Sequence, residues 1–266
     1  MILVAGGTGR LGGLVVEELL ARGERVRVLT RSAARADGLR AAGAEVALGD
    51  VRDPASLLPA ADGAQVVVSA VHGFAGTGHV TPANVDRDGN AHLVAAAQRA
   101  GAEMVLMSVI GAARQHPMEL FQMKAEAEEA LRNSGLRWTI VRANAFQELW
   151  QELLQKGPGR RPLVFGRGDS PIDFVRVAKV AGVVVEAALD PATRGQVLEV
   201  GGQSTFTLNQ LAAQTCPDAA PMHVPRLVLR ALAHVAPSPL KRQAAAALIM
   251  DTAPRLRLRE GQSREV

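Results

Sequence analysis

From its first residue to about position 200, the chain alternates short apolar runs with longer amphipathic stretches, a rhythm that predicts strand followed by helix several times over. Ile2-Leu3-Val4-Ala5 reads as a buried strand, and the stripe over residues 14–20 reads as a helix. Further strands are predicted at 26–30, 44–48, 65–69, 103–108 and 137–141, with helices at 33–41, from 53 onward, at 83–100 and at 118–133. Asp53-Pro54 supplies an N-cap and a first-turn proline, and Gly101 supplies a C-terminal stop. Beyond residue 141 the rhythm loosens into a helix at 145–154, a loop at Gly157-Pro158-Gly159 with Arg160 and Arg161, a helix at 175–188 and a seventh strand at 196–200. Shorter helices follow at 208–214, 225–234 and 240–250, divided by Pro217, Pro221, Pro237 and Pro239, and residues 261–266 read as frayed.

Strands joined through helices must lie parallel, with both sheet faces covered by right-handed crossovers. The pattern therefore predicts an α/β protein with a doubly wound, Rossmann-type sheet in the order 3-2-1-4-5-6 and a small, mostly helical C-terminal substrate lobe. A dinucleotide-binding core is expected over 1–144. Residues 145–266 form a mixed region from which 175–188 and 196–200 return to the core, while the last helices close a cleft.

Between the first strand and helix stand Gly6-Gly7-Thr8-Gly9-Arg10-Leu11-Gly12. In a phosphate-binding turn Gly6 allows the tight bend, Gly9 the approach of a pyrophosphate, and Gly12 close packing of helix on strand. The helix N-terminus adds unpaired N–H groups and a partial positive charge. At the end of strand two, where an NAD site places a carboxylate, the chain has Thr30-Arg31-Ser32. Arg31 can fork onto a 2′-phosphate and Ser32 can donate to it, which puts NADP (NADPH) ahead of NAD, with Arg10 as a second phosphate contact. Asp50, just past strand three, is either an acceptor for the adenine amino group or a turn residue.

Composition narrows the setting. The 266 residues are 48% hydrophobic, enough for a full core, and a net charge of +4 without an aromatic-interleaved basic block gives no reason to expect nucleic acid. The basic residues thicken at the end, in Arg255, Arg257, Arg259 and Arg264. Cys216 is the single cysteine, so no internal disulfide forms, and no apolar run reaches transmembrane length. The chain opens on a strand with no targeting segment before it, and the expected location is cytoplasmic, without membrane insertion. No His/Cys/Asp cluster has metal-ligand spacing.

The run from Gly6 to Gly12, together with Gly49-Asp50-Val51-Arg52-Asp53 and residues 134–142 (Ser134 to Arg142), resembles the NmrA-like group of atypical short-chain dehydrogenase/reductases, clearly over residues 1–200 and loosely beyond. That group shares a fold and a dinucleotide but not an activity. It includes quinone reductases, reductases of plant phenylpropanoids, and redox-sensing proteins without evident turnover. The resemblance implies that Gly6, Gly9 and Gly12 fall on its glycines and Arg31 on its 2′-phosphate position. Asp50-Val51 would flank the adenine, and Ser69-Ala70-Val71 would border the adenosine. Lys124 would lie near the nicotinamide ribose, with Ser108 ending strand five and Ala143-Asn144-Ala145-Phe146 facing the nicotinamide.

Departures from the group's pattern bear on chemistry. The wider superfamily uses a tyrosine four residues before the lysine, but this chain has no tyrosine and Leu120 stands there. Val109 and Ile110 offer no serine in compensation, and Arg176 replaces the usual aspartate. Lys124, in a Phe-x-x-Lys arrangement with Phe121 similar to that of the plant phenylpropanoid reductases, is read either as the acid, as that resemblance implies, or as a group that only binds ribose hydroxyls. His72 and His79 can touch substrate; His92 and His116 read as surface or satisfied residues. Asn144 and Gln147 offer amide donors, while Phe146, Trp150 and Phe174 form either an apolar wall or core. The expected function is reduction of a small apolar or aromatic carbonyl or quinone by NADPH. The alternative is an NADP(H)-binding regulatory protein that passes its state to a protein partner.

Overall fold

In a computed structural model of the protein, which describes residues 1–202 and 204–252, the amino-terminal elements follow the predicted rhythm. They are β1 (Ile2–Ala5), α1 (Arg10–Ala21), β2 (Val26–Thr30), a 3-10 turn (Ala33–Ala36) running into α2 (Asp37–Ala41), β3 (Glu45–Leu48), α3 (Pro54–Ala61) and β4 (Val66–Ser69). A wide π turn at Ala83–Arg87 opens α4 (Asp88–Ala100), and β5 (Glu103–Val109), α5 (Glu119–Arg132) and β6 (Trp138–Ala143) follow. Asp53 caps α3 by accepting from Ala55 N at 3.2 Å, and Gly101 ends α4 with a φ of 65°, a left-handed position suited to glycine.

The later elements are β7 (Ala145–Phe146), α6 (Gln147–Leu154), β8 (Leu163–Phe165), β9 (Ile172–Val175), α7 (Val177–Leu189), β10 (Gln196–Val200), β11 (Ser204–Phe206), α8 (Leu208–Thr215), β12 (Met222–Val224), α9 (Arg226–Val235) and α10 (Leu240–Met250). Two predicted helices begin too early. Ala145 and Phe146 are a strand paired with Phe174 and Val175, so both the helix expected from 145 and the one expected from 175 give up their first residues to sheet. The arginines from 255 to 264 and the frayed end expected at 261–266 lie outside the described residues.

The chain divides into two compact units. The first comprises Met1–Gly73, Val80–Ala143 and Ala178–Val200. Its seven-stranded parallel sheet runs β10-β6-β5-β4-β1-β2-β3, the predicted order extended by a seventh strand. All four residues of β1 and of β4 are buried, as central strands covered on both faces require. One face packs Leu3, Leu57, Val67, Leu93, Leu106 and Leu131 together, each such side chain worth about 1.5–3 kcal/mol of burial. The order reverses between β1 and β4, which opens a crevice over their carboxyl ends.

The second unit comprises Phe74–His79, Asn144–Val177 and the described residues from Gly201 on. A three-stranded sheet, β11-β9-β7, and a parallel pair, β12-β8, are its strands. Leu154, Val164, Phe174, Leu208 and Leu211 form its core, with Trp150 meeting Phe174 edge-on at 6.4 Å, so Phe174 is core and not an exposed wall. A smaller cluster joins α9 to α10. Arg176 is exposed, and the next amide, Val177 N, donates to Glu148 Oε2 at 3.1 Å. A carboxylate from α6 thus meets the start of α7, whose preceding residue is an arginine.

Candidate dinucleotide and active site

The glycine turn has the shape that its spacing predicts. Gly6 has a φ of +85°, and a Cβ there would stand 2.7 Å from Ala70 O. A Cβ on Gly12 would lie 2.2 Å from Gly6 O, so α1 reaches the turn only because that position is bare. Gly9 is the N-cap of α1 and brings no side chain to its end; no acidic residue occupies the first turn. Gly13 N bonds Gly9 O at 2.8 Å, whereas the amides of Leu11 and Gly12 precede the first intrahelical bonds. The cradle fits a pyrophosphate: bare backbone, outward N–H groups and the positive end of a dipole. Gly7 and Leu11 are buried beneath it, and Thr8 and Arg10 lie at its rim.

Thr30 and Ser32 form a closed turn at the end of β2, with Ser32 N donating to Thr30 Oγ1 at 3.2 Å, and Arg31 between them is exposed. Asp50 is engaged by its neighbour: Arg52 Nη2 donates to Oδ2 at 2.6 Å and Arg52 N to Oδ1 at 3.0 Å. The hydrogen bonds from Arg52, opposed by burial and assisted by the charge of Arg31, hold the Asp50 carboxyl below its usual range. Arg31 and Arg52 against Asp50 leave this corner positive. An open concavity of about 370 Å3 adds Arg35, which lines it with Gly7, Thr8 and Gly9. Arg35 and Arg52 carry no motif that marks them in the sequence, although Arg35 stands four residues past Arg31. Val51 is buried against α4, where a Cβ on Gly89 would lie 2.7 Å from it.

Ser69 at the end of β4 is fully buried and donates to Asn90 Oδ1 at 2.5 Å, so its hydroxyl serves α4. Ala70 and Val71 continue past it against Gly6. Lys124, 3% exposed, reaches beneath this strand end from α5. Its Nζ lies 2.9 Å from Asp86 Oδ1 and donates to Val71 O at 3.1 Å and Met107 O at 2.9 Å. Nζ thus donates two hydrogen bonds to backbone and forms an ion pair with Asp86 Oδ1, which itself accepts no hydrogen bond among the described residues. Ser108 likewise turns inward, donating to Glu128 Oε1 at 2.6 Å. Burial acts to raise the Glu128 carboxyl, but hydrogen bonds from Arg142 and Ser108 outweigh it and hold the group below its ordinary value.

Two histidines flank this region. His72 reaches solvent, yet the protein crowded about it pushes the imidazole below its ordinary value; Lys124 acts the same way and Asp86 opposes. His116 stacks on Phe121 with centroids 4.1 Å apart and accepts from Met118 N at 3.0 Å, while desolvation lowers its pKa. His92 Nδ1 lies 2.8 Å from Val51 O, a satisfied position. Ala143 ends β6, its carbonyl accepting from Ile110 N at 3.1 Å. Asn144, Ala145 and Phe146 belong to the second unit, where Asn144 Nδ2 is buried without a hydrogen-bond partner among the described residues. No group of metal-ligating side chains occurs among the described residues, and none of their helices is long and apolar enough to cross a membrane.

A doubly wound sheet, a glycine turn into a bare helix N-terminus and basic side chains beyond β2 define a Rossmann-type dinucleotide-binding protein. The sequence matches the family described as NAD(P)H-binding over residues 6–191. It is 32% identical over 219 residues to the NAD(P)H azoreductase of Xenophilus azovorans, a match covering 80% of this chain and 72% of the relative. To quinone oxidoreductase 2 of Escherichia coli (strain K12) it is 26% identical over 216 residues, covering 80% and 73%. The solved NADPH-dependent quinone oxidoreductase of E. coli, complexed with NADPH, shares the fold with a TM-score of 0.74 at 24% identity, over 94% of this chain and 89% of that one. The chain belongs to the NAD(P)H-binding family, among the NAD(P)-dependent oxidoreductases of the extended short-chain dehydrogenase superfamily.

Proposed function

We propose that the protein is a cytoplasmic, NmrA-like reductase that uses NADPH to reduce a small, largely apolar carbonyl or quinone without a tyrosine proton donor. The observation that carries the reading is the positive corner beyond β2, where Arg31 stands in place of an acidic ribose selector and the nearby Asp50 is already paired with Arg52. Gly6 to Gly12 hold the pyrophosphate, and Thr30, Arg31 and Ser32 receive the 2′-phosphate. Val51, Ala70 and Val71 flank the adenosine. When bound, the dinucleotide supplies a hydride. The chain has no phenol to offer a proton, which favours acceptors whose reduction asks little proton assistance, such as quinones. The names of the azoreductase and quinone oxidoreductase relatives support that class of acceptor.

Calorimetric titration of NADPH and NADH tests the cofactor assignment. NADPH binds more tightly to the native protein, and Arg31→Ala removes roughly ten- to a hundredfold of that preference, equivalent to about 1.5–3 kcal/mol for a charge-assisted phosphate contact. A preference unchanged in the variant excludes Arg31 from the site.

A further inference from the structure

The buried pair of Lys124 and Asp86 closes on one stretch of backbone from both sides. Lys124 Nζ donates to Val71 O at 3.1 Å, and Gly73 N donates to Asp86 Oδ2 at 2.7 Å. The two side chains meet at 2.9 Å, and His72 lies between the two clamped residues. The clamp is itself anchored: Lys124 Nζ also donates to Met107 O in β5, and Asn90 Nδ2 donates to Asp86 O at 2.6 Å. Both charged side chains are nearly inaccessible, at 4% and 0% exposure, whereas His72 reaches solvent. Burying an ion pair carries a desolvation cost of several kcal/mol per ion, recovered only where the geometry is well made. Here that geometry fixes residue 72 at the carboxyl end of β4.

Its place relative to the dinucleotide follows from the sheet. Ala70 O and Val71 N border the Gly6 turn, at 2.7 and 3.1 Å from a Cβ built there. His72 is the next residue, at the switch point and on the β4 side of it. The adenosine half of a dinucleotide lies over β2 and β3 and reaches Ala70 and Val71, so the chain leaving β4 runs from there toward the nicotinamide half, and His72 is its next residue.

We infer that His72 contacts the acceptor, donating a ring N–H hydrogen bond to the oxygen on which negative charge develops, with Lys124 and Asp86 as its positioning residues. This rests on the reductase reading. Hydride leaves the dihydronicotinamide with its electron pair and bonds to the acceptor. The dinucleotide is oxidised, the quinone becomes a hydroquinone anion, and solvent supplies the proton that completes the hydroquinone. The crowding that lowers the ring's pKa favours the neutral imidazole, which retains an N–H to donate. An aimed donor of this kind contributes about 10²–10³ in rate.

The test compares the native protein with His72→Phe, which keeps a planar ring without a donor, and His72→Gln, which restores an N–H. Three readouts are taken: the NADPH dissociation constant, binding of 4-nitrophenolate to the NADP+-loaded protein, and single-turnover reduction of a quinone and of a cationic triarylmethane dye. The dye accepts hydride at carbon and develops no oxyanion. For His72→Phe, quinone reduction slows about 100-fold and nitrophenolate binds about tenfold more weakly, while dye reduction and NADPH affinity change no more than about threefold. His72→Gln recovers part of both losses. Equal quinone rates in native and His72→Phe protein, equal losses on dye and quinone, or unaltered nitrophenolate binding overturn the assignment of His72 and leave the reductase reading standing. A native protein that binds NADPH but reduces neither acceptor overturns both.

Discussion

The ammonium of Lys124 is held inside the protein, donating to Val71 O and Met107 O and paired with the Asp86 carboxylate at 2.9 Å. A lysine so held is a strut before it is an acid. Its removal leaves the fully buried Asp86 carboxylate without a counter-charge, a loss of about 3–5 kcal/mol. Lys124→Met therefore lowers the urea midpoint sharply, and adding Asp86→Asn to it restores part of the loss. A variant of normal stability and NADPH affinity whose hydride step alone is slowed about 100-fold would instead make Lys124 the proton donor. Legibility at this scale follows locality. Gly6 and Gly12 declare themselves by spacing because strand, turn and helix are contiguous. Asp86, by contrast, faces a lysine supplied by another helix, and no local pattern marks it. Asp50 was legible as a polar turn residue, but its pairing with Arg52 depends on a side-chain direction that sequence does not specify.

Among elements, the parallel strands of the first unit were legible because each is a continuous apolar run between helices. The second unit's strands were not. β7 has two residues and β8, β11 and β12 have three each, too few for alternation to register. Their pairing is non-local: Ala145 and Phe146 are extended because β9 lies beside them, and β9 in turn lies against β11. The helical periodicity of 145–154 was genuine from Gln147 onward, and tertiary pairing captured the residues before it. Gly202 shows how close that packing is, since a Cβ there would fall 1.3 Å from Phe174 O. Backbone must shift to admit it. Gly202→Ala is expected to destabilise by about 3 kcal/mol, with faster chymotryptic cleavage in the second unit; an unchanged thermal midpoint and digestion pattern would show that β9 yields without cost.

For the whole molecule, the doubly wound order with its seventh strand makes the nucleotide crevice a consequence of topology, and the absence of tyrosine from the chain removes the usual proton donor at one stroke. Function class was legible to that extent. Acceptor identity was not, because it depends on side chains gathered from distant elements. The central claim, that this is an NADPH-dependent reductase working without a phenol, is tested most directly by anaerobic NADPH and NADH oxidation against a panel of quinones, enones and aliphatic ketones, with reduced product quantified. The expected result is stoichiometric hydroquinone formation, at least about tenfold faster per unit concentration with NADPH than with NADH, and little reaction with aliphatic ketones. Saturable NADPH binding with no product from any acceptor would contradict it and make the protein a nucleotide-sensing regulator.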